Sequence, residues 1–283
     1  MTGNMRTSTQ PVAAGPSGMP SPDLILHIPH SSRQIPTAER AQLTPDDRTL
    51  ALELRRMTDA FTDELFPRTR FEAARVVFPV SRLVCDVERF ADDADEPMAL
   101  RGMGVIYTKT TDGLPLREHL TPSERARLIE SWYQPHHQRL TYSVEQALTV
   151  GESCTIVDCH SFSSKPLPHE PDQDPVRPDI CIGTDSWHTP ERLRDELVAA
   201  ASAAGLSVLV DRPFAGALVP LKHYRREARV RAVMIEINRR LYMNEETGDR
   251  LLRFGAIRQV ISELLVVVSG YPQNDRWPRR RRS

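Results

Sequence analysis

The segment Cys154-Thr155-Ile156-Val157-Asp158-Cys159-His160-Ser161 joins an apolar pulse to a polar stop that holds a carboxylate and an imidazole. Short apolar runs of this kind read as buried strands. The carboxyl ends of such strands are where open α/β sheets place their chemistry. Two other segments have the same form. Leu24-Ile25-Leu26-His27-Ile28 leads into Pro29-His30-Ser31, and Val233-Met234-Ile235-Glu236-Ile237 carries a carboxylate near its end. Aligned in one sheet, the three would bring His30, His160 and Glu236 to one edge, a set that suits a zinc hydrolase.

The intervening chain alternates helical and strand patterns. Thr44 as a cap and Pro45 in the first turn predict a helix whose apolar stripe, alone or through a successor, runs through Leu54, Met57, Phe61 and Leu65. Asp59 and Asp63, four apart, then share another face of it. Residues 75–80 and 83–87 read as strand material, with Pro79 marking a bend or an edge. Residues 91–121 read as an excursion covering the sheet edge. Thr121-Pro122-Ser123-Glu124 is a capping box opening a helix through Leu128, Trp132 and Leu140, kinked at Pro135. After a Ser- and Pro-rich loop over 161–179, a helix from Thr189-Pro190-Glu191 ends at Gly205. A strand over 206–210, a strand over 231–237 and a helix over 248–269 complete the pattern. The alternation predicts a three-layer α/β/α fold, phosphorylase/hydrolase-like, with a mostly parallel or mixed central sheet. One catalytic domain is expected over residues 23–270, between a disordered segment (1–22) and a basic tail (271–283).

The formal charge of -1 gives no electrostatic reason to expect a nucleic-acid partner. The run Arg279-Arg280-Arg281-Arg282 reads as a solvated tail. No apolar run has membrane-spanning length, and the first 22 residues lack the apolar core of a secretory signal. Cys85, Cys154, Cys159 and Cys181 lack zinc-knuckle spacing and read as buried thiols of a reducing cytoplasm.

Catalytic zinc takes three protein ligands and leaves a position open. His160 is the leading histidine, because Asp158 stands where it can orient the second ring nitrogen. His30 has the same standing on the first strand, whereas His27 lies within that strand and reads as a satisfied core residue. Glu236, between two isoleucines, is costly unless paired or near a metal, so it suits a general base or a salt bridge to Arg239 or Arg240. Asp59, Asp63 and Asp86 all qualify as third ligand. Cys159 points away from the face of His160 and is excluded as its nucleophile partner. Arg82, Arg89 and Arg212, at element ends, suit a carboxylate-bearing substrate.

These residues resemble the N-formylglutamate amidohydrolase family of zinc hydrolases with a carboxypeptidase-like α/β fold. The matching pieces are Pro29-His30-Ser31, Thr58-Asp59 through Leu65, Ser81-Arg82-Leu83-Val84 with Asp86 and Arg89, and Asp158-Cys159-His160-Ser161. They continue with Arg177-Pro178-Asp179 and Gly183-Thr184, Arg212-Pro213-Phe214 with Gly216, and Ile235-Glu236-Ile237 through Met243. The resemblance implies hydrolysis of an N-acyl amino acid such as N-formylglutamate. It makes His30, His160 and Asp59 the zinc ligands, with Asp63 the runner-up to Asp59, and Glu236 the general base and acid. Asp86 and Asp158 stand behind the ligands; Arg89, with Arg82, Arg212 and Gly216, binds substrate. The family's usual Asp-x-Asn-Arg is Asp86-Val87-Glu88-Arg89 in this chain. That exchange questions N-formylglutamate as substrate more than it questions amide hydrolysis. Two further readings are a peptide or cell-wall amidase and a non-catalytic carboxylate-binding protein.

Overall fold

The computed structural model describes residues 23–67 and 73–271. The expectations for residues 1–22 and for the basic tail beyond Tyr271 lie outside the described residues. The strands are β1 (Leu24–Ile28), β2 (Ala74–Val77), β3 (Cys154–Phe162), β4 (Ile180–Gly183), β5 (Val208–Val210) and β6 (Val230–Asn238). The α-helices are α1 (Thr37–Arg40), α2 (Asp47–Met57), α3 (Thr62–Leu65), α4 (Pro122–Leu128), α5 (Gln134–Val150), α6 (Glu191–Ala203) and α7 (Phe254–Gly270). The strands form one mixed sheet in the order β2-β1-β3-β6-β4-β5. Among the described strands of this sheet, only the β4–β6 pairing is antiparallel.

Strand alternation divides the central strands into two faces. Leu24, Leu26, Ile28, Val157, Cys159, Val233, Ile235 and Ile237 pack with Leu193 and Leu197 of α6 and with Ile261 and Leu265 of α7. On the opposite face Ile25, Ile156 and Ala232 pack with Leu140, Val144 and Ala147 of α5. Further along that second face the residues turn polar. The register sets His27 beside Asp158, Asp158 beside Met234, and His160 beside Glu236. Helices cover both faces, and the chemistry lies on the α5 face at the carboxyl ends of β1, β3 and β6.

Several local expectations are corrected. Asp158 to Ser161 do not follow β3 but lie inside it, buried. Asp46, not Thr44, caps α2, accepting from Thr49 N at 2.7 Å. The stripe passes from α2 to a successor, α3, because Asp59 N donates to His30 O at 2.9 Å and Phe61 is left-handed at φ 67°. Asp59 therefore sits in a turn tied to the segment just after β1, not on a helical face with Asp63. Residues 83–87 are turns rather than a strand, with Asp86 N donating to Val105 O at 2.8 Å. β4 was not expected from its four residues; its Gly183 is required, since a Cβ there would collide with Met234 and the Gly216 carbonyl. The capping box at Thr121 forms. The distortion expected at Pro135 takes the form of a π-helical turn over Ile129–Tyr133, just before α5.

Leu140 is fully buried between α5 and the sheet. Leu140→Ala should lower unfolding stability by about 2–5 kcal/mol. In urea titrations this appears as a lower midpoint at unchanged slope; an unchanged midpoint would contradict the packing described.

Candidate active site

The two imidazoles are oriented from behind by carboxylates. His30 Nε2 lies 2.8 Å from Asp86 Oδ1. Asp86 Oδ2 accepts from Arg82 at 2.7 Å and from the Tyr107 hydroxyl. Burial opposes charge on Asp86, but Arg82, His30 and Arg89 outweigh it and hold the carboxyl well below its usual range. His160 Nε2 lies 3.1 Å from both Asp158 Oδ1 and Glu88 Oε1. Burial disfavours charge on His160 too, yet Glu88 and Asp158 raise its affinity for a proton well above the ordinary histidine range.

With each Nε2 engaged, the Nδ1 atoms turn toward Asp59. Asp59 Oδ2 is 3.0 Å from His160 Nδ1 and 3.7 Å from His30 Nδ1. His30 Nδ1 is buried without a hydrogen-bond partner. The other oxygen of Asp59 is held by Arg239 at 2.9 Å. Glu88 approaches from another side, its Oε2 4.0 Å from His30 Nδ1. Among the described residues, donor atoms of His30, Glu88 and His160 come together closely enough to share a metal, as do those of His27, Glu88 and Asp158. An unpartnered imidazole nitrogen among this many carboxylates fits a divalent cation.

Glu236 stands beside His160 across β3 and β6. Its Oε2 is buried and without a partner. Arg239 and Arg240 pair elsewhere, with Asp59 and Asp179, so the expected alternative of a salt bridge to either arginine is not formed. Burial pushes the Glu236 carboxyl up to about 8, assisted by Asp59 and Glu88 and opposed by His160. His27 is the satisfied core residue expected, 2.7 Å from Asp158 and 2.8 Å from His136.

A cavity of about 330 Å³ opens beside this cluster, lined by Glu88, Arg89, Asp158, Asp185, Gly216 and Met234 among others. Tyr133 and His137, on the π turn and α5, hold its rim by bonding the carbonyls of Arg89 and Val87 at 3.0 and 2.8 Å.

The model of the family described as N-formylglutamate amidohydrolase matches residues 22–243. The chain belongs to this family. It is 29% identical over 254 residues to an N-formylglutamate deformylase of Pseudomonas aeruginosa, covering 86% of this chain and 91% of that one. Its fold resembles the crystal structure of an N-formylglutamate amidohydrolase from Ralstonia eutropha (TM-score 0.77, 24% identity, 90% and 95% of the two chains). A gene product of Agrobacterium tumefaciens has a TM-score of 0.62 at 21% identity, over 87% and 91%.

Within this N-formylglutamate amidohydrolase family member, the expected site residues fall into two groups. His30, Asp59, Asp86, Asp158, His160 and Glu236 converge, and Arg89 and Gly216 line the adjoining cavity. Arg82 lies behind Asp86 instead of lining that cavity, bonding Asp86 and Tyr107. Arg212 is corrected: it is half-exposed and clamps Asp172 and Asp174 at 2.9 and 2.7 Å. Asp63 is exposed on α3, away from the imidazoles. Tyr107 was not foreseen, and Arg239, expected as a partner of Glu236, pairs with Asp59 instead, because only the folded chain brings them to Asp86 and Asp59.

Asp86→Ala would leave Arg82 buried beside no carboxylate and His30 without its anchor. Loss of one partner from a buried pair costs about 3–5 kcal/mol. Chemical unfolding should show a fall of that size; a loss under about 1 kcal/mol would remove Asp86 as the support of this cluster.

Proposed function

We propose that the chain is a zinc-dependent amidohydrolase that cleaves the N-formyl or related N-acyl amide of an amino acid. The observation that carries this reading is the orientation of His30 and His160. A carboxylate holds each Nε2, both Nδ1 atoms turn toward Asp59, and Glu236 stands alongside with a free oxygen. The relatives' names, N-formylglutamate deformylase and amidohydrolase, support the same reaction class.

His30, His160 and Asp59 are the proposed ligands. With Asp59 in third place, both histidines use the same ring nitrogen and each keeps a carboxylate on the other, the usual support of metal-bound imidazole. Glu88, which reaches the opposite side of His160, is the competing carboxylate. Zinc held there supplies Lewis-acid polarisation of the acyl carbonyl and acidifies the attacking water. Glu236 takes the proton that water loses as its oxygen bonds to the acyl carbon. It returns that proton to the amide nitrogen as the C–N bond breaks, so that the acid and the free amino acid leave. A carboxyl pushed up to about 8 by burial is suited to holding a proton between the two steps near neutrality. Arg89, which lines the cavity while its Nε lies 3.6 Å from Asp86 Oδ2, receives the substrate's α-carboxylate.

The four free, buried cysteines suit a reducing compartment, so a cytoplasmic location belongs to the same proposal. No described helix is long and apolar enough to cross a membrane.

Removing metal with a chelator should abolish hydrolysis of N-formyl amino acids, and zinc should restore it; full activity in metal-free protein would refute the zinc reading. Glu236→Gln should keep its zinc and lose about 10²–10⁴-fold in kcat. Zinc retained with kcat unchanged would assign proton transfer to another group.

A further inference from the structure

The cavity beside the cluster is mixed in a way that bears on the substrate's side chain. One wall is apolar: Ala215, Ala217, Leu218, Val219, Leu221 and Met234. Glu88 and Arg89 line the same cavity. Among the described residues lining the cavity, Arg89 is the one permanent cation, against the carboxylates of Glu88, Asp158 and Asp185. Lys222, on the neighbouring groove, is tied to Glu145. Arg225 lies over the Tyr224 ring, 5.1 Å from its centroid, and is not a lining residue.

N-formylglutamate carries two carboxylates. Arg89 can fork one of them. The second would enter a space with no further lining cation and with Glu88 at its edge. Glu88 cannot turn away without loss, because its Oε1 lies 3.1 Å from His160 Nε2 and 3.6 Å from His27 Nδ1. A carboxylate desolvated without a partner is strongly disfavoured, whereas an apolar side chain fits the wall.

We propose that the preferred substrate is an N-acyl amino acid with an uncharged apolar side chain. That side chain is seated against the Ala215–Val219 and Met234 wall, the α-carboxylate lies on Arg89, and Glu88 selects against a second carboxylate. This rests on the hydrolase reading above and narrows it to a substrate class.

The test compares kcat/KM of the zinc-loaded full chain for N-formyl-L-leucine and N-formyl-L-glutamate. Leucine should win by at least about tenfold, and Glu88→Asn should narrow the gap by raising the value for glutamate. Glutamate equal or better in the unaltered chain overturns the proposal, and so does a gap that Glu88→Asn and Glu88→Gln both leave unchanged. A second arm keeps the proposal separate from the reaction. Calorimetric binding of the same two compounds to zinc-loaded Glu236→Gln should favour leucine even if neither compound is hydrolysed. Turnover of neither compound by the unaltered chain, with leucine bound tighter, would sink the hydrolase reading and leave the pocket assignment standing. Equal binding, tighter binding of glutamate, or binding of neither overturns the pocket assignment.

Discussion

Asp59, Asp86, Glu88, Asp158 and Glu236 are packed around two imidazoles, and this concentration of buried negative charge is the constraint on which the site depends. Taking ionised carboxylates out of water is costly unless each finds a cation or a donor. Asp86 finds Arg82, Tyr107 and His30; Asp59 finds Arg239 and His160; Asp158 finds His27, His160 and the Leu218 N–H. Glu236 lacks such a partner at Oε2, and burial pushes its carboxyl above the usual carboxylate range. A divalent cation between the Nδ1 atoms would relieve the remaining excess. The same arrangement therefore argues for a metal and for Glu236 as the group that handles the proton.

The fold supplies this crowding through strand register. β3 and β6 run side by side for nine residues, so that His160 faces the same layer as Glu236, and Asp158 the same layer as His27. The face away from the site is largely apolar, with Thr155, Ser161 and Arg231 as its polar members on β3 and β6, and its apolar residues pack under α6 and α7. Polar residues thus appear on alternate positions of strands that would otherwise read as continuous core. The α5 helix closes the layer that holds the imidazoles, and the π turn before it sets Tyr133 and His137 against the backbone of Val87 and Arg89.

The identity of β1, β3 and β6 and the convergence of His30, Asp158, His160 and Glu236 were legible in the sequence. A single polar residue set into an apolar pulse is carried into a buried layer, where it must find a partner of its own kind. What could not be read came from non-local geometry. Asp59 fits a helical stripe by spacing, yet its N–H pairs with His30 O and pulls it into a turn. Residues 83–87 have strand composition, but Asp86 N is bonded to Val105, which no local pattern announces. Arg212 has the placement of a substrate anchor, but Asp172 and Asp174, some forty residues away in the chain, are its partners. Glu88 stood out only as a departure from the family pattern; its contact with His160 depends on how that irregular loop folds.

The central claim is that one metal binds between His30 and His160 through their Nδ1 atoms. Anomalous diffraction at the zinc edge from crystals of the zinc-loaded chain tests it most directly. The account predicts one strong peak about 2.0–2.1 Å from both Nδ1 atoms, with an Asp59 oxygen in the third place. A peak bound through Nε2, or no peak between these two rings, would contradict it.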